Sequence, residues 1–76
     1  MPHIDIKCYP KNLNEQEMKT LVNELTHLVI KHLKSPEEYI SISYKEVPAE
    51  HWKDEVFDLE IRPNIENLAK KPGYEM

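Results

Sequence analysis

Two short segments of alternating polar and apolar residues flank one longer segment of helical period, and this order limits the folds open to the chain. Residues 3–8 read His-Ile-Asp-Ile-Lys-Cys, and residues 39–46 alternate in the same way. A period of two is typical of a strand with one buried face. We therefore predict two strands, whose inward residues are Ile4, Ile6, Cys8, Ile40, Ile42 and Tyr44.

The segment between the two strands carries the signals of a helix over residues 15–34. Asn14 is a strong N-cap residue, and Glu17 three positions later completes a capping box. Apolar residues then recur every three or four positions, which predicts one apolar stripe along the helix. The stripe consists of Met18, Leu21, Val22, Leu25, Leu28, Val29 and Leu33. The pair Ser35-Pro36 ends the helix.

A strand, a helix and a second strand form a βαβ unit, in which the crossover makes the strands parallel. We predict an α+β fold over residues 2–76 as one domain, with the helix on the isoleucine face of the sheet. Pro48–Trp52 is expected to form one helical turn. Residues 54–61 fit a helix better than a strand, and Pro63 should break, kink or restart it. The last turn, 71–74, should dock Tyr74 back on the body.

The small size of the chain favours self-association. A domain of 76 residues buries only about 60 to 65% of its unfolded surface, and the single cysteine excludes an internal disulfide. Two parallel strands are also too narrow a sheet to stand alone. We predict a homodimer with a four-stranded sheet. A hexamer is less favoured, because it would desolvate the outward set His3, Asp5, Lys7, Ser41, Ser43 and Lys45.

Composition argues against several partners. The net charge is −4 and the basic residues are scattered, which disfavours a nucleic-acid partner. No signal sequence or long apolar run is present, so we expect a cytoplasmic protein with no membrane partner. The four histidines lack the spacing of a metal site, and Gly73 is the only glycine, which excludes a glycine-rich phosphate loop. We expect no metal and no cofactor.

Pro2 is the residue with the clearest chemical potential. Met1 precedes a small residue, so its removal is expected, and Pro2 would then carry a secondary amine. An apolar pocket would lower the pKa of that amine towards neutrality, which suits a general base. The alternative is structural, because a proline at the first position of a strand costs no ladder hydrogen bond.

Several segments resemble the 4-oxalocrotonate tautomerase superfamily, and most closely its short bacterial keto-enol tautomerases. They are the opening Pro2–Cys8, Glu15-Gln16, Ile40–Ser43, Trp52 and the tail Lys70–Tyr74. The resemblance implies βαβ protomers in a dimer or hexamer, with the amino-terminal proline as acid-base catalyst. It also implies that Trp52 forms a pocket wall. Lys11 stands for an arginine of the first loop, where Asn12 aligns equally well, and Ser41 replaces an arginine of the second strand.

The function that this resemblance implies is a cofactor-free 1,3-proton transfer on small 2-keto acids, such as phenylpyruvate. Pro2 would move the proton, and Lys11 would hold the carboxylate. Trp52 and Phe57 would exclude water and receive an aryl group. The rival hypothesis is a non-catalytic dimeric module that binds a small acid or a protein partner.

Overall fold

The computed structural model describes the whole chain, Met1–Met76. Its first part contains strand β1, His3–Cys8, and helix α1, Glu15–Leu33. A short 3-10 turn, Glu37–Tyr39, then leads into strand β2, Ser41–Glu46. The first strand therefore has the predicted bounds, and the helix is present within one residue of the predicted end.

The two strands form a parallel two-stranded sheet. At its beginning, the Ser41 amide donates to the Pro2 carbonyl at 3.2 Å, and at its end the Val47 amide donates to the Cys8 carbonyl at 2.8 Å. The starts of the two strands therefore lie side by side, and so do their ends. The predicted βαβ arrangement and the α+β fold class are confirmed.

Side chains on the outer face of the sheet bond across the strands in the same register. His3 Nδ1 lies 2.7 Å from Ser41 Oγ, and Ser43 Oγ donates to Asp5 Oδ1 at 2.7 Å. These four residues are exposed, as predicted. Lys7 differs from the prediction, because its side chain is only 22% exposed and its Nζ lies 2.9 Å from Glu60 Oε2.

Helix α1 begins at the predicted capping box. The Asn14 side chain accepts a bond from the Glu17 amide at 2.8 Å, and the Glu17 carboxylate accepts one from the Asn14 amide at 2.9 Å. The helix ends one residue earlier than predicted because the backbone of Lys34 is left-handed, with φ 57°. The Lys34 backbone N–H donates a hydrogen bond to the Ile30 carbonyl and so caps the helix. Helix α1 contains no buried residue.

Two apolar residues of the predicted stripe are exposed in the single chain. Leu28 is 51% and Leu33 is 63% exposed, whereas Leu21, Val22 and Leu25 are half-buried. Leu28 lies at the edge of the stripe, and Leu33 is the last helical residue, so no further turn covers it. The apolar stripe is thus wider than the surface that one chain covers.

The second strand begins at Ser41, two residues later than predicted. The Tyr39 amide donates to the Pro36 carbonyl and the Ile40 amide to the Glu37 carbonyl, at 3.1 and 3.0 Å. These local bonds occupy the amides that a longer strand would need for the ladder. Within β2 the predicted alternation holds, since Ile42 and Tyr44 are half-buried and Lys45 is exposed.

The chain after β2 is helical throughout most of its length. Helix α2 covers Ala49–Trp52, a π-helical segment follows over Lys53–Ile61, and a 3-10 segment covers Arg62–Asn67. The preference for a helix over residues 54–61 is therefore confirmed, although its winding is wider than that of an α-helix. The winding changes next to Pro63, which lacks an amide proton and cannot extend the ladder.

The chain divides into two compact units, one formed by Met1–Ile6 and Lys11–Lys45, the other by Lys7–Pro10 and Glu46–Met76. The prediction of a single domain stays a prediction. The buried apolar residues, Val47, Val56 and Phe57, all belong to the second unit. Cys8 is half-buried. No helix has both the length and the apolarity that a membrane crossing requires.

The capping box at Asn14 yields a first prediction. Asn14→Ala should lower the free energy of unfolding by about 1 kcal/mol, because the Glu17 amide loses the side-chain oxygen to which it donates. Urea unfolding at one fixed protein concentration measures this loss. Asn23→Ala is the matched control, since Asn23 is exposed in the middle of the same helix and alanine favours a helix. An equal loss in both variants would contradict the role of the capping box.

Candidate active site

Pro2 lies at the start of β1, at one end of the first unit. Its side chain is half-buried, and its carbonyl accepts the Ser41 amide. Met1 before it is 97% exposed. A shallow groove of about 510 Å³ opens beside Met1, and its other lining residues are Pro2, Leu33, Lys34, Ser35, Pro36 and Tyr39.

The topology of the βαβ unit explains this neighbourhood. Parallel strands begin at the same edge of the sheet, so the crossover helix must run back towards that edge before the second strand can start. The end of α1 and the turn before β2 therefore return to Pro2. Sequence reasoning missed Leu33, Lys34 and Tyr39 as neighbours of Pro2, although this topological signal was present.

The groove beside Pro2 combines apolar surface with one cation. Leu33 and Tyr39 are 63% and 49% exposed. The Lys34 ammonium donates to the Lys31 carbonyl at 3.0 Å in an exposed position, where water can replace the bond. A small organic acid with an apolar part matches this combination.

Lys11, the predicted carboxylate ligand, lies in the loop between β1 and α1 with an exposed side chain. It belongs to the same unit as Pro2 but does not line the groove beside it. The neighbouring Asn12 has a φ of 56°, in the left-handed region that asparagine tolerates better than most residues. The role of Lys11 stays a prediction.

Trp52 and Phe57 lie in the second unit, within a cluster of four aromatic rings. The Trp52 ring contacts Tyr9 edge to face, with centroids 5.2 Å apart, and its Nε1 donates to Tyr74 Oη at 3.0 Å. Phe57 is 6% exposed, and its ring centroid lies 5.7 Å from that of Tyr74. We call Tyr9, Trp52, Phe57 and Tyr74 the aromatic cluster. The predicted docking of Tyr74 is confirmed, and Tyr9 was missed.

A network of charges supports the buried ring of Phe57. The Arg62 guanidinium carbon lies 5.2 Å from the Phe57 ring centroid, and its Nη2 lies 3.0 Å from Asp58 Oδ1. Lys53 Nζ donates to Asp58 Oδ2 at 2.9 Å. This hydrogen bond from Lys53 lowers the pKa of Asp58; burial opposes the effect, and the charges of Arg62 and Lys53 add to it.

No group of three or more histidine, cysteine, aspartate or glutamate side chains could hold a metal ion. His3 is engaged with Ser41, and His51 lies 3.8 Å from Glu55 on the next helical turn.

The lowered pKa of Asp58 predicts acid-sensitive stability. The folded carboxyl binds its proton less readily than the unfolded one, so its contribution is complete above the ordinary pKa of 3.8 and is lost as pH falls through the lowered pKa. Asp58→Asn should unfold at lower urea than the wild type at neutral pH, with a smaller difference at low pH. Urea midpoints measured across this range test it.

Asp54→Asn is the matched control for that experiment, since Asp54 is an exposed carboxylate of the same segment. It should keep the wild-type dependence on pH. If Asp58→Asn also kept that dependence, the ion pairs of Asp58 would contribute nothing to the fold.

Comparison with known proteins agrees with the fold. A family model described as "Tautomerase enzyme" matches residues 2–56. Among curated relatives, "Tautomerase PptA" of Cronobacter sakazakii is 50% identical over 76 residues, which is all of both chains. The protein of that name from Escherichia coli O127:H6 is 47% identical over the same length. That of Pectobacterium carotovorum is 45% identical over 97% of each chain.

The family match and the full-length relatives support a catalyst over a non-catalytic binding module. Both carry the name of an enzyme class that interconverts tautomers, which makes its members isomerases. The chain thus belongs to the tautomerase family and is an isomerase.

Proposed function

We propose that this isomerase is a cofactor-free keto-enol tautomerase of small 2-keto acids, with arylpyruvates such as phenylpyruvate as the substrate class. The general base would be the nitrogen of Pro2 after removal of Met1. The observation that carries the proposal is the position of Pro2 at the head of β1, half-buried and in a groove with a cation. Its presence in a tautomerase chain supports the same assignment.

The nitrogen of Pro2 becomes a base only if Met1 is removed. While Met1 is attached, this nitrogen belongs to an amide and cannot accept a proton. Met1 is exposed, and the bond between the Pro2 carbonyl and the Ser41 amide does not involve it. Its loss would therefore leave the strand in place and expose a secondary amine in the groove.

The surroundings of Pro2 favour the uncharged form of such an amine. An amino terminus in water titrates at about 7.7 to 8.0, and apolar burial and a neighbouring cation both disfavour the ammonium. Pro2 is half-buried beside Leu33, and Lys34 lines the same groove. An amine shifted in this direction is poised as a base near neutral pH.

The reaction itself needs one proton and no redox step. The neutral nitrogen would take the proton of the enol hydroxyl, which leaves an enolate and a secondary ammonium. The ammonium would then return the proton to the carbon next to the new carbonyl. One base can serve both sites if each lies within about 3 Å of it or is bridged by water.

Two lysines are candidates for the group that holds the substrate carboxylate and stabilises the enolate oxygen. Lys11 is implied by its correspondence to a first-loop arginine. Lys34 is favoured by its place in the groove of Pro2. Either would supply a cation in place of the prototype's second-strand arginine, since Ser41 stands at that position and is bonded to His3.

Trp52 and Phe57 are the residues that we propose for binding the aryl part of the substrate. Trp52 is half-buried and still has ring surface to offer. Phe57 is almost covered, so its contribution would be to support that surface and to exclude water. We propose Trp52 as the direct wall and Phe57 as the residue behind it.

We also propose a homodimer with a four-stranded sheet as the working assembly, with a hexamer less favoured. Only three residues of the single chain are buried, and Leu28 and Leu33 remain exposed on α1. A second copy would extend the two-stranded sheet and cover apolar surface. A cytoplasmic location, expected from the sequence, is part of the same proposal.

Removal of Met1 and replacement of Pro2 test the base. The intact mass of the purified protein should correspond to a chain that starts at Pro2. Pro2→Ala should lower kcat/KM for ketonisation of phenylenolpyruvate by about tenfold, because it replaces the secondary amine by a primary amine that is less basic and is no longer held in place by a ring. A retained Met1 in an active protein, or an undiminished rate in the variant, would refute the role of Pro2.

Pro10→Ala is the control for that variant. Pro10 is exposed in the loop after β1, and its nitrogen is an amide in every form of the chain. Its replacement should leave the removal of Met1 and the rate of ketonisation unchanged.

Replacement of the two lysines decides between the carboxylate ligands. Replacement by glutamine of the lysine that binds the carboxylate should raise KM by about tenfold or more, since a charged hydrogen bond is lost. We expect this of Lys34→Gln or of Lys11→Gln. Lys31→Gln, an exposed lysine at the same end of α1, should not change KM. A wild-type KM in both test variants would refute both candidates.

A further inference from the structure

We infer that Tyr74 is a positioning residue that fixes the orientation of Trp52, so that Trp52 offers a substrate its ring surface and withholds its N–H. The link to catalysis rests on the proposed function, in which Trp52 and Phe57 form the substrate wall. The contacts of Tyr74 within the second unit are independent of that function.

Tyr74 contacts both residues of the proposed wall. Its hydroxyl accepts the hydrogen bond from Trp52 Nε1 at 3.0 Å, and its ring packs against Phe57 with centroids 5.7 Å apart and planes tilted by 42°. The Tyr9 ring contacts the indole at an interplanar angle of 89°. Trp52 is therefore held by Tyr74 through a polar bond and by Tyr9 through ring packing.

The bond to Tyr74 uses the only polar group of the indole. A tryptophan side chain has one hydrogen-bond donor and no acceptor. With that donor engaged by Tyr74, Trp52 has nothing to offer a carboxylate or a carbonyl oxygen. Its remaining contribution is apolar and π surface, which favours an aryl group over a polar chain.

The tail that carries Tyr74 is attached at a second point. Arg62 Nη2 donates to the Met76 carbonyl at 2.8 Å, while the same guanidinium contacts Asp58 and the Phe57 ring. Tyr74 is 44% exposed, so its own bond to Trp52 competes with water. The second attachment keeps the hydroxyl near the indole and offsets this competition.

Tyr74→Phe tests the inference, because it removes the hydroxyl and keeps the ring on Phe57. Trp52 is the only tryptophan, so its fluorescence reports on this bond directly. We expect a shifted emission maximum and a KM for phenylenolpyruvate about three- to tenfold higher, as for one lost hydrogen bond. The kcat should stay within about twofold, because the proton transfer at Pro2 is not altered.

Glu75→Gln is the matched control in the same tail, and it should leave emission and KM at their wild-type values. A double-mutant cycle isolates the coupling. In a Trp52→Phe background, which has no indole N–H, Tyr74→Phe should cause no further rise in KM. An equal rise in both backgrounds would mean that Tyr74 acts without Trp52 and would overturn the inference, as would unchanged emission and KM in the single variant.

A measurement on the wild type keeps the inference testable if the variant does not fold. The indole N–H of Trp52 should exchange with solvent more slowly than that of free tryptophan in an NMR experiment, because it is bonded to Tyr74. Fast exchange would overturn the inference. A wild-type protein inactive on phenylenolpyruvate would instead overturn the proposed substrate class, while emission and exchange still decide whether Tyr74 holds Trp52.

Discussion

The parallel pairing of β1 and β2 is the constraint on which the geometry around Pro2 depends. The bond from the Ser41 amide to the Pro2 carbonyl brings the starts of the two strands together. Because the strands run the same way, α1 must return to the edge where both begin. Lys34 and Tyr39 therefore line the same groove as Pro2, which immediately precedes β1. A proline at the head of the first strand therefore lies in a groove formed by the end of the crossover.

The second unit supplies most of the buried apolar surface and a separate aromatic cluster. Its core consists of only three buried residues, Val47, Val56 and Phe57. Polar contacts supplement this small core. Asp58 links Lys53 to Arg62, and Arg62 in turn holds the carbonyl of the last residue. The aromatic cluster is thus fixed from several sides, although much of the unit is exposed. A core of this size is small for an isolated domain.

The local signals in the sequence predicted the elements well. The capping box at Asn14 and the alternation over residues 3–8 describe interactions between near neighbours, and both are present. The errors fell where the backbone leaves these regular patterns. Lys34 takes a left-handed conformation that stops α1 early, and a 3-10 turn uses the amides before Ser41. The periodicity of the side chains does not show at which residue a helix ends or a strand begins. The side chains just before and just after such a boundary are compatible with either backbone conformation.

The sequence by itself determined the order of strand, helix and strand, the membership of the tautomerase family and the prominence of Pro2. The order of the elements follows from periodicity, whereas the family and the interest in Pro2 follow from the resemblance to known tautomerases, and a family model over residues 2–56 shows the family. Only the tertiary structure decided which distant residues come together: Lys34 and Tyr39 line the same groove as Pro2, and Tyr74 contacts both Trp52 and Phe57. Such meetings depend on the path of the whole backbone, and a residue's position in the chain carries no direct record of its neighbours in space.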